Sequence, residues 1–144
     1  MGQLFGLLRD GATFDVKVMA SPQRVAWLKR RGLPFPSPIV VCGLIDTGAS
    51  STCIDEEVVR SLDLNPSNYV AVHTPSTMGV PVHRNAYDVS IVFGDSKPDP
   101  RTYTLELVAT ELASQGILLL VGRDILKRCI FQYDGPNGIF DLRY

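Results

Sequence analysis

One short stretch of the sequence has residue types that could carry out chemistry. Residues 43–52 read Gly-Leu-Ile-Asp-Thr-Gly-Ala-Ser-Ser-Thr, so an apolar segment leads directly into Asp46 and the small residues behind it. A carboxylate at the end of a buried strand can act as a general acid or a general base. The triplet Asp46-Thr47-Gly48 is also compatible with an ordinary turn that ends a strand, because Asp and Gly both favour turns.

A second stretch favours the chemical interpretation. Within residues 116–126, a run of apolar residues precedes Gly122, and Arg123 and Asp124 follow before a short apolar segment. The two stretches together resemble the retroviral-type, or retropepsin-like, aspartic proteases. The signature of that family is Asp-Thr-Gly-Ala at the end of an apolar strand, followed later by two apolar residues, glycine, arginine and a helix. The resemblance extends from about residue 14 to the C-terminus.

The resemblance implies a role for each matching residue. Asp46 is the implied catalytic carboxylate, and Thr47 is implied to direct its hydroxyl into hydrogen bonds that join two active-site loops. Gly48 and Ala49 are implied to stay small so that a substrate backbone can approach closely. The residues implied in catalysis are Asp46, Thr47 and Gly48; in substrate binding, Gly48, Ala49, Met78, Gly79 and Val80; and in active-site support, Leu120, Val121, Gly122 and Arg123.

Residues 72–83 stand where the family places its flap hairpin, the hairpin that closes over a bound substrate. Met78 and Gly79 are the implied tip, since glycine supplies flexibility there. Pro75 and Pro81 leave an ordinary hairpin open as the alternative.

The implied chemistry needs two carboxylates that share one proton, so that one activates a water while the other donates to the substrate carbonyl. The chain contains a single Asp-Thr-Gly, and the second carboxylate is therefore expected from a second copy across a two-fold axis. We expect a C2 homodimeric aspartic endopeptidase that hydrolyses peptide bonds in a peptide or protein substrate. We also expect its interface to include the apolar terminal segments 4–8 and 139–144.

The sequence departs from the retroviral pattern at three places. Ser50 stands where those enzymes carry an acid that pairs with the later arginine, which leaves the partner of Arg123 open. Asp124 replaces a frequent asparagine, and the insert of residues 22–38 is longer than theirs, as in a bacterial or phage-type relative. Two other functions stay open: a dimeric peptide-binding or scaffold domain of the same fold with little or no turnover, and an unrelated β-barrel binding protein.

The elements that must position these residues are mostly strands. Apolar residues alternate in residues 13–20, 87–93 and 102–109, which predicts half-buried strands. Continuous apolar runs at 39–45 and 117–121 predict buried strands, and 130–133 and 139–142 flank a glycine-rich hairpin loop. Short helices are predicted at 22–31, around 55–62 and at 123–128. We therefore predict one all-β domain spanning residues 1–144, and the resemblance implies a small closed β-barrel with one to three short helices.

The composition and the spacing of certain residues argue against several classes of partner. The net charge is −1, with 14 Lys+Arg against 15 Asp+Glu, so no basic surplus indicates a nucleic-acid partner. The widely spaced Cys42, Cys53 and Cys129 suit neither a disulfide framework nor a metal clip, and His73 and His83 lack companions at metal-ligand spacing. We expect a protein with no cofactor and no metal. We also expect it to be cytoplasmic and to have no membrane partner, because no segment is long and apolar enough to cross a bilayer.

Overall fold

Most of the regular secondary structure consists of β-strands, as the alternating apolar residues predict. The computed structural model describes residues 1–144. The strands are β1 (Gln3–Leu7), β2 (Thr13–Ala20), β3 (Ile39–Ile45), β4 (Cys53–Asp55), β5 (Asn68–Val72), β6 (Val82–Phe93), β7 (Arg101–Thr110), β8 (Leu119–Val121), β9 (Ile130–Asp134) and β10 (Ile139–Arg143). The helices are α1 (Pro22–Arg30), α2 (Glu56–Ser61) and α3 (Arg123–Leu126), and single 3-10 turns lie at Pro75–Thr77 and Ala113–Gln115.

Six of the strands close into a barrel. Their order is β2-β3-β8-β4-β7-β6, and β6 pairs back with β2 while β5 takes the remaining part of the same edge of β6. The β3–β8 and β4–β7 pairs are parallel, and the other pairs are antiparallel. Closure removes free strand edges and encloses a single apolar core. The predicted closed β-barrel is therefore confirmed. The side chains with no exposed surface are Val16, Val18, Ile54, Val89, Ile91, Phe93, Leu107 and Leu119, together with Ala86, Thr52, Val121 and Leu142.

The two ends of the chain form a second, three-stranded antiparallel sheet in the order β1-β10-β9. Beyond the strand ends, Gly2 and Tyr144 exchange two backbone hydrogen bonds of 2.9 and 3.0 Å. Phe140 and Leu142 are buried against the barrel from this sheet. The terminal segments, which were expected to form part of the interface between two copies, pair with each other within one chain. The hairpin at residues 134–139 turns β10 back between β9 and β1, so β10 has no free edge.

The insert of residues 22–38 is a helix followed by an extended connector. Ser21 caps α1, because its Oγ accepts a hydrogen bond from the Arg24 N–H at 3.3 Å and Pro22 takes the first helical turn. The helix ends one residue before the predicted end, and Gly32 follows with a φ of +64°. The insert joins β3 at its first residue, whereas Asp46 follows the last residue of β3.

The other two helices are single short segments. Asp55 caps α2, which buries Val58 and Val59 against the barrel. Helix α3 ends at Leu126, two residues before the predicted end, because the chain turns there towards β9. None of the helices combines the length and the apolar character that a bilayer-crossing helix requires.

Candidate active site

Asp46 lies on the loop that links β3 to β4. Its backbone N–H donates to the carbonyl oxygen of Val121 at 3.0 Å, which continues the parallel β3–β8 pairing by one step. The half-buried carboxylate accepts the Gly48 N–H on Oδ1 at 2.8 Å, and its Oδ2 accepts no hydrogen bond within the chain. A Cβ added at Gly48 would lie 3.0 Å from Asp46 Oδ1. Glycine at this position therefore lets the loop hold the carboxylate by a backbone hydrogen bond while leaving one oxygen free.

Gly122 packs directly against the far end of the same loop. A Cβ at Gly122 would lie 2.6 Å from the carbonyl carbon of Ser51, 2.7 Å from its oxygen and 3.0 Å from the Thr52 nitrogen. These are backbone atoms, which cannot move aside as a flexible side chain can. Leu120 lies opposite Leu44 in the β3–β8 register. The loop after β3 and the segment after β8 therefore form one packed unit, as the resemblance implied.

Arg123 holds the loop through backbone carbonyl groups. Its Nη1 donates to the carbonyl oxygens of Thr47 at 2.8 Å and of Gly48 at 2.9 Å. Its own backbone N–H donates to the Ala49 oxygen at 2.9 Å. The sequence left the partner of Arg123 open, because Ser50 replaces the expected acid. In the structure, the guanidinium finds its partners in the loop backbone and needs no carboxylate at position 50.

A second set of hydrogen bonds fastens the end of the loop at Thr52. Asp124 accepts the Thr52 N–H on Oδ2 at 2.9 Å and the Thr52 hydroxyl on Oδ1 at 2.6 Å. The same hydroxyl oxygen accepts the Gly122 N–H at 3.0 Å. Sequence reasoning missed Thr52 and treated Asp124 only as a departure. The available signal was that two hydrogen-bonding side chains, Thr52 and Asp124, each lie close to a glycine-containing motif.

Cys53 follows Thr52 and lies within the electrostatic reach of the site. Burial, followed by the negative charges of Asp124 and Asp46, raises the pKa of the Cys53 thiol to about 11. At neutral pH the group is therefore a neutral thiol and not a nucleophilic thiolate. Cys53 is therefore a small, neutral side chain beside the loop.

The side chain of Thr47 is one of several in the loop that have no hydrogen-bond partner in the single chain. It is exposed, and its hydroxyl makes no hydrogen bond with any other residue. The role implied for it, a link between two active-site loops, requires a second loop that one chain does not contain. That role stays a prediction.

The turn between β5 and β6 carries the three residues predicted for the flap. Met78 is 91% exposed and Val80 is 67% exposed, so both project from the barrel. Met78 and Gly79 have φ values of +49° and +82°, and the 3-10 turn at Pro75–Thr77 precedes them. The structure forms the predicted hairpin, but no hydrogen bond joins its tip to the Asp46 loop. Its function as a flap stays a prediction.

Both histidines belong to the β5–β6 hairpin. His83 stacks on Tyr69 with ring centroids 5.2 Å apart, on the outer part of the β5–β6 hairpin. No group of three His, Cys, Asp or Glu side chains is arranged to hold a metal ion.

Comparisons with known proteins give the fold a family context. No protein-family model matches the chain, and no curated protein matches it either. Among solved structures, the chain is similar to a retropepsin-like aspartic protease from Rickettsia conorii, with a TM-score of 0.59 and 16% sequence identity. The similarity covers 99% of this chain and 91% of that chain. The chain therefore has a retropepsin-like fold, which confirms the resemblance at the level of the fold.

Proposed function

We propose that the protein is an aspartic endopeptidase that acts as a homodimer, in which two copies of the chain each contribute Asp46 to one active site. The observation that carries this proposal is the position of Asp46 in a retropepsin-like fold. Asp46 directly follows barrel strand β3. One oxygen of its carboxylate accepts the Gly48 N–H, and the other is free of hydrogen bonds. The single domain of residues 1–144 is then one half of the enzyme.

The proposed mechanism divides the work between the two Asp46 carboxylates. The ionised one takes a proton from a water molecule as that water attacks the peptide carbonyl. The protonated one donates to the developing oxyanion, and a proton then passes to the leaving amine. Two like charges at close range cannot both ionise easily, so the pair holds one proton and supplies both functions.

The residues around Asp46 take supporting roles in this proposal. Gly48 and Ala49 leave room for the substrate backbone, and Met78, Gly79 and Val80 close over it. Thr47, exposed in the single chain, hydrogen-bonds across the axis to the loop of the second copy. Leu120, Val121, Gly122 and Arg123 hold the loop in place, as their contacts with it support.

The test is hydrolysis of a peptide library by the wild-type protein and by Asp46→Asn. We expect wild-type cleavage to be blocked by an inhibitor that mimics the tetrahedral transition state, and Asp46→Asn to retain less than about a tenth of the activity, because general acid–base catalysis contributes at least about a hundredfold. Sedimentation of both proteins establishes that the variant keeps its fold and association state. Library peptides that bind wild type without being cleaved would instead indicate the peptide-binding alternative.

A further inference from the structure

The insert of residues 22–38 has an electrostatic character unlike the rest of the chain. It contains four basic residues, Arg24, Lys29, Arg30 and Arg31, and no acidic residue. The other residues of the chain carry ten basic and fifteen acidic side chains, which leaves a net charge of −5 outside the insert. The near-neutral total therefore combines a basic insert with an acidic remainder of the chain.

The basic residues of the insert have no carboxylate partners. None of the four salt bridges in the chain involves an insert residue. The Arg24 guanidinium donates only to the backbone oxygen of Asp63 at 3.1 Å, and Asp88, which lines the same surface depression as Arg24, forms no ion pair with it. Lys29, Arg30 and Arg31 are all exposed. Their positive charge is available to an outside partner.

Two of these cations stack on the same aromatic ring. The guanidinium carbons of Arg24 and Arg31 lie 4.9 and 3.9 Å from the ring centroid of Trp27. Contacts of this kind orient a cation while leaving its N–H groups free to bind an anion. The guanidinium groups of Arg24 and Arg31 are therefore oriented before any partner binds.

Exposed apolar side chains share the surface with the charges. Leu33 and Phe35 are each 45% exposed on the connector after α1, and the Lys29 Nζ lies 5.3 Å from the Phe35 ring centroid. The prolines that flank Phe35 restrict the connector and limit the entropy lost when it docks. We define Lys29, Arg30, Arg31, Leu33 and Phe35 as the basic tip.

We propose that the basic tip docks the protein on an anionic phospholipid surface. Positive side chains beside exposed Leu and Phe side chains suit a membrane interface, where the cations meet lipid phosphates and the apolar groups enter the acyl boundary. The acidic remainder of the chain orients the molecule with the insert towards such a surface. A peripheral contact needs no bilayer-crossing segment, so the absence of one in the sequence does not count against it.

The insert joins the barrel at the end of β3 that is opposite the Asp46 loop. The insert enters β3 at Ile39, and Asp46 follows the other end of that seven-residue strand. A strand of this length spans roughly 20 Å. Docking through the tip therefore does not require the Asp46 site, and the proposal stands or falls independently of protease activity.

The test is cosedimentation of the full chain with vesicles of phosphatidylcholine, with and without phosphatidylserine. We expect binding only to the vesicles that contain phosphatidylserine, and weaker binding as salt is raised. Trp27 is the only tryptophan, so quenching of its fluorescence by brominated lipid would place the contact at the insert. Binding without quenching, or equal binding to both vesicle types, would overturn the proposal.

Three variants distinguish the contribution of the basic tip to vesicle binding from the contribution of net charge. Replacing Lys29, Arg30 and Arg31 by Ser should weaken binding on the order of a hundredfold, because each basic residue near an anionic surface contributes about fivefold. Leu33→Ser with Phe35→Ser should weaken it without changing the charge. The control replaces three exposed basic residues elsewhere by Ser, namely Lys97, Arg101 and Lys127.

The control should bind nearly as well as wild type, and thermal unfolding establishes that all three variants are folded. Equal losses in the tip and control variants would mean that only net charge matters and would overturn the proposal. So would preferential binding of polyglutamate or of a single-stranded oligonucleotide, since the surface would then serve a different class of partner.

Discussion

The hydroxyl of Thr52 has its hydrogen-bond direction set by its neighbours. A carboxylate can only accept and a backbone N–H can only donate. Thr52 must therefore donate to Asp124, at 2.6 Å, and accept from the Gly122 N–H, at 3.0 Å. One buried hydroxyl thus joins the end of the Asp46 loop to both residues that flank Arg123.

We predict that Thr52→Val, which keeps the side-chain shape, lowers peptide turnover by at least about tenfold, since small displacements of a catalytic group are costly. It should also destabilise the fold by about 1–3 kcal/mol, because it leaves the buried Gly122 N–H unpaired. Turnover and chemical unfolding would be measured together. Thr52→Ser should recover most of both, since it restores the hydroxyl.

Ser90→Ala is the matched control for Thr52→Val. It removes a buried hydroxyl on β6 that hydrogen-bonds to Thr104 at 2.7 Å. Loss of turnover in Thr52→Val, with Ser90→Ala nearly as active as wild type, would locate the effect in the loop. If the two variants lost activity in proportion to stability alone, the positioning role of Thr52 would be wrong.

Gly122 offers a test of packing at the same loop. We predict that Gly122→Ala costs about 1–3 kcal/mol of stability, because its Cβ would meet the Ser51 backbone at 2.6 Å. Displacement of the loop by this contact should reduce turnover about a hundredfold. Unfolding midpoint, association state and turnover of the variant would be compared with wild type.

The control for Gly122→Ala is Gly135→Ala, in the β9–β10 turn. A Cβ at Gly135 would meet only the Tyr133 ring, at 3.4 Å, and its φ is not positive. Gly138, in the same turn, is a poorer control because its φ is +65°. A fully active Gly122→Ala protein would contradict the packed unit described above.

At the scale of elements, Asp55 joins three segments through its buried carboxylate. Oδ1 accepts the Glu57 N–H at the start of α2, at 2.7 Å, and Oδ2 accepts the N–H groups of Leu112 at 2.6 Å and Ala113 at 2.8 Å. Burial acts to raise the pKa of Asp55, but these hydrogen bonds, together with the positive charge of Arg60, outweigh it and hold the pKa below its ordinary value of 3.8.

The sign of this pKa shift predicts how stability depends on pH. A carboxylate with a lowered pKa in the folded state stabilises the fold above its unfolded pKa, and the contribution is lost as the pH falls through the folded value. We predict that Asp55→Asn lowers the free energy of unfolding at pH 7 by about 2–3 kcal/mol. The difference from wild type should shrink below about pH 4, as urea unfolding at several pH values would measure.

Asp134→Asn controls for the loss of a carboxylate with a lowered pKa. Hydrogen bonds from the Asn137 side chain and backbone lower the pKa of Asp134, but this residue is the last of β9, beside the β9–β10 turn, and is only half-buried. Its replacement should leave the unfolding midpoint nearly unchanged at pH 7. Equal effects of the two substitutions would show that the buried position of Asp55 has no special weight.

The predictability of these elements depends on how local their signals are. The bounds of β2 and β3 match the sequence prediction because eight and seven consecutive residues carry the apolar pattern. Strand β4 has only three residues and owes its existence to pairing with β7 and β8, which are distant in sequence. The apolar run at 117–121 predicted a longer β8 than the three residues that pair.

The candidate site likewise contains residues that a local pattern predicts and contacts that only the fold creates. The two motifs identify Asp46 and Gly122 from the sequence, since each carries a recognisable local pattern. The carbonyl partners of Arg123 could not be predicted, because every residue has a carbonyl group and only the fold selects which ones face the guanidinium. The bond between Thr52 and Asp124 likewise joins residues 72 positions apart.

At the scale of the whole molecule, the terminal sheet limits how two copies can associate. Strand β10 is paired on both edges, so only β1 and β9 have edges that another chain could extend. On the outer face of this sheet, Phe5 is 69% exposed and Leu7 is 55% exposed. The terminal strands thus form their three-stranded sheet within a single chain. A dimer cannot depend on exchanging them unless this sheet opens.

Mixing wild-type protein with Asp46→Asn tests whether two copies share one active site. If the subunits exchange freely and a site needs Asp46 from both, only wild-type homodimers cleave peptide. At fixed total protein, an equal mixture should then have about one quarter of the wild-type activity, whereas independent sites would give about one half. The mixture must be incubated until its activity is constant, and sedimentation must show dimers throughout. A value of one half with complete exchange would mean that each chain carries its own site, and the shared-carboxylate mechanism would have to be abandoned.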